Sequence, residues 1–266
     1  MATNERVSTA KRLIAVLTDG ACAATVADVR IGLGYTAVKL ADHRTGVAYT
    51  FRDQAQGGCS VFHGLRPLVG RSAAELLALL ESRDVIEAGV GLACANALAN
   101  HDGPAQLGGD VLEHLAIGPE DDVGMVGNFG PLVAEIEQRA RSLTIFERVS
   151  TPTGLLRPQE EAVSTLPRCQ IALITATSII NQTLDALLDA VRGCRQVALL
   201  GASMPLRADA FAATNVAMLS GVVVTAPDAV LRVVSEGGGM RQFSPYVRKV
   251  TVRVPPPEPS LERSTP

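Results

Sequence analysis

Val123 to Leu132, VGMVGNFGPL, reads as a buried strand that runs into a glycine turn and then into a helix. Gly124, Gly127 and Gly130 recur at intervals of three, and Pro131 is placed to open the helix PLVAEIEQRA, where its missing N–H is no loss. Such a turn leaves backbone amides and the positive helix end facing outward, which is where α/β proteins hold anions. The dinucleotide fingerprint is G-x-G-x-x-G, and here Met125 and Val126 stand where the second close-approach glycine would be supplied, so the match is partial. A second strand, TIFER, ends near Glu147, about twenty residues on, where a ribose-binding acid stands in a nucleotide-binding unit. Gly127 and Glu147 therefore form a candidate cofactor-binding pair. The competing reading is a turn that only packs strand on helix.

Downstream of residue 111, short apolar strands alternate with helical patterns: GMVGNF, PLVAEIEQRA, TIFER, PQEEAVSTL, CQIALITA, TLDALLDAV, QVALLGAS and LRADAFAA. Repeated βα units predict a parallel sheet with crossover helices and a site past the carboxyl ends of its strands. Upstream, a helix over LIAVL leads into strand-like runs over residues 26–52. These predict an antiparallel meander in which Gly46 closes a turn, followed by the helices SAAELLALLES, with Ser72 and Glu75 as a capping box, and DVIEAGVGLACANALAN. HDGPAQLGGD at 101–110 shifts to Gly, Pro and polar residues and marks a boundary. The expected fold class is α/β: a small α+β domain over 1–103, a parallel-sheet domain over 104–254 and a Pro-rich disordered tail over 255–266.

Composition narrows the functions. The chain has 266 residues, 47% hydrophobic and only 3% aromatic, with no Trp and a formal net charge of −3, which excludes the basic footprint of a nucleic-acid binder. No segment reaches the ~20 apolar residues of a membrane span. Lys11 and Arg12 before LIAVL and ACAA imitate a secretion signal, but Asp19 breaks the imitation. The five cysteines contain no CxxC pair, which with their odd number predicts a cytoplasmic protein without a disulfide framework. Small-molecule chemistry or assembly is favoured. An Ala-rich stretch such as ACANALANH offers a close-packing face for self-association, and a homo-oligomer is expected.

Three strand-end loops carry the candidate ligand-binding groups: Gly127, Asn128 and Phe129; Thr175, Thr177, Ser178, Asn181 and Thr183; and Gly201 with Ser203. In each of the last two loops, hydroxyls serve either a ligand or a helix N-cap. Ser203 lacks G-x-S-x-G, and no histidine follows His114, which excludes a triad in the hydrolase order. Glu236, Gly237 and Gly238 close the helical pattern VLRVVSE with more flexibility than a single C-cap needs. Among the four dispersed histidines, only His63 lies near a cysteine, Cys59, and this pair is the candidate metal ligand set. The loop Gly57 to Ser60 is expected to join the site.

G-N-F-x-P-L at Gly127 to Leu132, the Thr175 to Leu184 stretch, G-x-S-x-P-L at Gly201 to Leu206, IGLGYTAV at Ile31 to Val38, SGVVV and the Glu236-Gly-Gly ending together resemble the family of proposed heavy-metal chelation proteins. That resemblance covers nearly the whole folded chain. It implies an N-terminal domain similar to that of enolase, a Rossmann-like C-terminal domain and a site in the cleft between them. The implied function is binding of a heavy metal or metal-bearing small molecule; the alternative is an enzyme that holds a nucleotide or other anionic cofactor on the Gly127 turn. Ala176, Gln182 and Ala202 stand where the family favours Gly, Gly and Pro, so loop geometry and ligand preference are expected to differ there.

Overall fold

The computed structural model describes residues 7–55, 60–64, 66–103 and 106–255. Helix α1 (Thr9–Cys22) opens on Ser8, whose side chain accepts from the Lys11 amide, and buries Leu13, Leu17 and Ala21 on one stripe. Leu13 and Leu17 of the LIAVL run thus lie on the inner face of an amphipathic helix, while Ala15 between them is exposed. An antiparallel sheet follows, β1 (Val26–Ile31), β2 (Tyr35–Leu40) and β3 (Thr45–Tyr49), paired in that order. Gly46 does not close a turn, contrary to expectation. The connection from β2 to β3 passes through His43 at φ 70, and Gly46 lies within β3.

Gly46 is needed for a different reason. A Cβ there would sit 2.1 Å from the Ala97 amide nitrogen, so glycine lets β3 press directly on a helix. That helix is α3 (Val85–Ala99), capped by Asp84, with every residue from Ala88 to Ala99 buried. The short α2 (Ala73–Leu77) before it carries the Ser72–Glu75 capping box that the sequence predicts. The Ala-rich face expected to drive self-association is instead covered by this chain's own sheet, because only small side chains allow so close an approach.

The second sheet has eight strands: β4 (Gln106–Leu107), β5 (Asp122–Val126), β6 (Ser142–Glu147), β7 (Leu156–Pro158), β8 (Ile171–Thr175), β9 (Gln196–Leu200), β10 (Val216–Val224) and β11 (Val247–Arg253). The parallel strands β5 to β10 lie in the order β7-β6-β5-β8-β9-β10, which is 3-2-1-4-5-6 and reverses between β5 and β8. At one edge β11 runs antiparallel to β10, and β4 pairs with it. These apolar strands are covered on both faces. Val123 and Met125 of β5, Ile171 and Leu173 of β8 and Ala198 and Leu200 of β9 pack with Leu132 and Ile136 of α4 (Gly130–Arg139). The alternate residues, among them Ile174, Val197 and Leu199, join the opposite core with Leu184, Leu187 and Leu188 of α6 (Leu184–Ala190).

Two expected helices are much reduced. PQEEAVSTL keeps only α5 (Ala162–Thr165) between single 3-10 turns, and LRADAFAA is one 3-10 turn, Ala208–Phe211. After β10 come α7 (Pro227–Ser235) and α8 (Met240–Phe243). Val230, Leu231 and Val234 of α7 pack with Ala37 and Val47 of the small sheet, with Val222 of the large one and with Ala202 in the loop after β9. No helix among the described residues is long and apolar enough to cross a membrane.

Candidate functional site

The strand order reverses between β5 and β8, so the connections that leave their carboxyl ends diverge and open a crevice. A cleft of about 620 Å³ lies there. Its floor is formed by Val126 to Phe129 at the end of β5 and beyond, Phe146 to Arg148 at the end of β6 and Thr175, Thr177 and Ser178 at the end of β8 and beyond. Tyr49 and Phe51, from the end of β3 and just beyond, close it from the side of the small sheet.

The glycine turn after β5 is tightly specified. Gly127 has φ 87 and donates its amide to the Phe146 carbonyl at 2.8 Å, and a Cβ would meet Thr175 at 3.0 Å. Both the left-handed backbone and this proximity require glycine. The next amide, Asn128 N, donates to Glu147 Oε2 at 3.0 Å, and Arg148 N donates to Glu147 Oε1 at 2.8 Å. Glu147 therefore stands where a ribose-binding acid would, yet its Oε2 also ties the end of β6 to the turn after β5, while its Oε1 is held by the amide of the following residue. Pro131 occupies the first turn of α4, as the sequence predicts. Arg148 lays its guanidinium 4.7 Å from the centre of the Phe51 ring and forms no ion pair among the described residues.

The loop after β8 contributes hydroxyls and an amide. Thr175 Oγ1 lies 3.0 Å from Thr177 Oγ1, and Asn181 Oδ1 accepts from Thr183 Oγ1 at 2.8 Å. Ser178 also borders the cleft, but it is only 2% exposed and donates to the Thr175 carbonyl, so its hydroxyl holds the turn. Gln182 is the notable departure. It adopts φ 58, the left-handed region, and is held there by a 2.8 Å bond from its amide to the Ser82 carbonyl. The position where the resemblance implies glycine does adopt positive φ, and this chain meets it with a side chain that reaches α3's leading loop.

Other sequence candidates lie elsewhere. Ser203 is 2% exposed and accepts from the Tyr49 amide at 2.9 Å; no helix opens after it, and it neither caps one nor faces the cleft. Gly201 borders a smaller cavity of about 290 Å³ on the far side of Phe129, along with Tyr35 and Lys249. Glu236, Gly237 and Gly238 close α7, with Gly237 at φ 78, and pack over the Gly34 turn rather than the cleft. Cys59 and the loop 57–59 lie outside the described residues, while His63 is exposed and does not line the cleft. Sequence reasoning missed Tyr49, Phe51, Phe146, Arg148, Gln159 and Glu160, which also line it. Arg148 was within reach of the strand-end rule; Tyr49 and Phe51 arrive from another sheet and left no local signal.

Two family models match, one over residues 110–253 and one over residues 14–99, and both carry the description "Putative heavy-metal chelation". This chain belongs to the family so described. An uncharacterized protein of Methanocaldococcus jannaschii is 23% identical to it over 86% of this chain and 90% of the relative. A crystal structure of a family member of unknown function from Pyrococcus horikoshii superposes with a TM-score of 0.82 at 22% identity, covering 92% of this chain and all of that one. Another, from Desulfitobacterium hafniense, superposes at 0.74 with 23% identity over 92% and 98%. These likenesses establish the mixed α/β fold.

The family description invites a test of the donor set. Among the described residues, no group of three or more His, Cys, Asp or Glu side chains is placed to hold an ion. The cleft offers two carboxylates, Glu147 and Glu160, and Glu147 is engaged by two backbone amides. A bare transition metal held by dedicated protein ligands needs three or four converging donors. The described cleft does not fit such an ion.

Proposed function

We propose that this heavy-metal chelation family protein binds a metal-bearing small molecule in the crevice between residues 1–103 and 104–254, the molecule supplying most of the metal's donors. The observation that carries this reading is the lining: threonine hydroxyls, the Asn181 amide and the Arg148 cation surround a space of about 620 Å³, and the described residues place no clustered ligand set there. Such groups suit the outer oxygens of a chelate better than the inner sphere of an ion. Ligand sites of this size typically hold a few placed polar groups within an apolar wall. The four described cysteines are all free, which supports a reducing compartment.

Calorimetric titration tests the reading. Zn²⁺ presented as its dipicolinate or iminodiacetate complex should bind, Zn²⁺ alone should not, and Thr177→Val should weaken the chelate about tenfold. Tight binding of Zn²⁺ alone, unaffected by Thr177→Val, would overturn it.

A second reading, an enzyme with a nucleotide on the Gly127 turn, is favoured by one specific arrangement. The strand order is 3-2-1-4-5-6, and Glu147 ends the second parallel strand beside the turn. Glu147→Gln tests it better than a change at Gly127, whose φ of 87 tolerates no Cβ without strain. Stabilisation by ADP or NAD that Glu147→Gln abolishes would move the assignment to this class.

A further inference from the structure

Aromatic side chains are scarce in this protein, six Phe and three Tyr with no Trp, only 3% of the residues. Four of the nine, Tyr49, Phe51, Phe129 and Phe146, line the cleft. Phe51, Phe62, Phe146, Phe211 and Phe243 are buried core residues, whereas Phe129, like Tyr49, is left partly exposed at the cleft, a position that core packing alone does not call for. Tyr49 is half-buried, and its ring is fixed edge-to-face between Tyr35, at 5.9 Å and 89°, and Phe51, at 5.0 Å and 88°. Phe51 in turn carries the Arg148 guanidinium on its face. Rings braced in this way lose little freedom when a ligand arrives, and they present flat surfaces with a cation at the edge.

We infer that the ligand is a flat conjugated ring system with an anionic, metal-binding edge, of the pyridine-carboxylate class. This rests on the chelate reading above and adds the ligand's shape to it. The ring stacks on Tyr49 and Phe129, and the carboxylate edge meets Arg148 and the Thr175–Thr177 hydroxyls.

Dipicolinate and iminodiacetate form a discriminating pair of probes. Both are dianions that present one nitrogen and two carboxylates to Zn²⁺, but only dipicolinate is planar and aromatic. The Zn²⁺–dipicolinate complex should bind about tenfold more tightly than the iminodiacetate complex. Tyr49→Leu and Phe129→Leu, which keep apolar volume, should each reduce that ratio to below about threefold. Equal binding of the two complexes would overturn the inference while leaving the chelate reading intact. A preference that survives in the folded Leu variants would overturn it as well. Binding of neither complex would remove the chelate reading itself. Melting of each variant by circular dichroism shows whether it folds, and Phe129→Leu decides the matter if Tyr49→Leu does not.

Discussion

The loops after β8 and β9 look alike in sequence and behave oppositely in space. Thr175 to Thr183 and Gly201 to Leu206 each follow an apolar parallel strand and each hold hydroxyls before an apolar run. The first borders an open cleft. The second is locked against the rest of the molecule: Asn100 donates to the carbonyls of Met204 and Val222 at 2.9 and 3.1 Å and accepts from the Leu206 amide at 2.8 Å, while Ser203 accepts from Tyr49. A polar residue after a strand is thus open to a ligand only where the neighbouring unit leaves room. Where two units close up, the same residue type serves to satisfy buried backbone.

The strongest way to break this contrast is Asn100→Ala. It strands two carbonyls and an amide in a buried seam, and should lower stability by roughly 3 kcal/mol, or roughly 6–12 °C in Tm by calorimetry. If the loss is below about 1 kcal/mol, the seam is not closed by these bonds. Ser203→Ala should cost about 1–2 kcal/mol in urea unfolding, because the Tyr49 amide loses its acceptor. It should also weaken ligand binding, since Tyr49 lines the cleft.

Acid titration separates both loops from the opposite end of the sheet. Hydrogen bonds from Arg141 and Ser142 hold the Asp122 carboxyl down to about 2 at the start of β5. An unfolded Asp titrates near 3.9, so protonation favours the unfolded chain. The stabilisation from Asp122 is complete above about pH 4 and is lost as the pH falls toward 2. Asp122→Asn should flatten that part of the acid limb in a stability–pH series without altering the difference between the loops.

Two smaller tests sharpen the open side. Gln182→Gly and Gln182→Ala both remove the bond to Ser82, but only Ala retains the left-handed strain. The Gly variant should therefore be the more stable by about 1 kcal/mol. Thr177→Val should change stability by less than about 0.5 kcal/mol while lowering chelate affinity, as expected of a hydroxyl whose bonds are short-range and partly exposed.

Much of the architecture was legible because it is local. The alternation of apolar runs with helical periods announced the parallel sheet, Pro131 and Ser72 with Glu75 marked helix starts, and the Gly127 turn fell at the end of β5. Local signals also misled. LRADAFAA carries helical spacing, but only one 3-10 turn forms before the chain enters β10. Gly46 looks like a turn residue and is a packing residue, because the helix that presses on it lies about fifty positions away.

The site was half legible for the same reason. Gly127, Glu147, Thr175 and Asn181 follow from strand ends, which periodicity locates. Tyr49, Phe51 and the diversion of Ser203 depend on partners far away in the chain, such as the 154-residue separation between Tyr49 and Ser203. Sequence by itself determined which segments become strands and helices and where the parallel strands end, since backbone propensity, capping and the period of burial act within a few residues. Tertiary structure alone decided which strand-end loop faces open space and which is sealed, because that depends on how the small sheet and α3 dock across the carboxyl edge, and docking is set by packing between surfaces that no short stretch of chain contains.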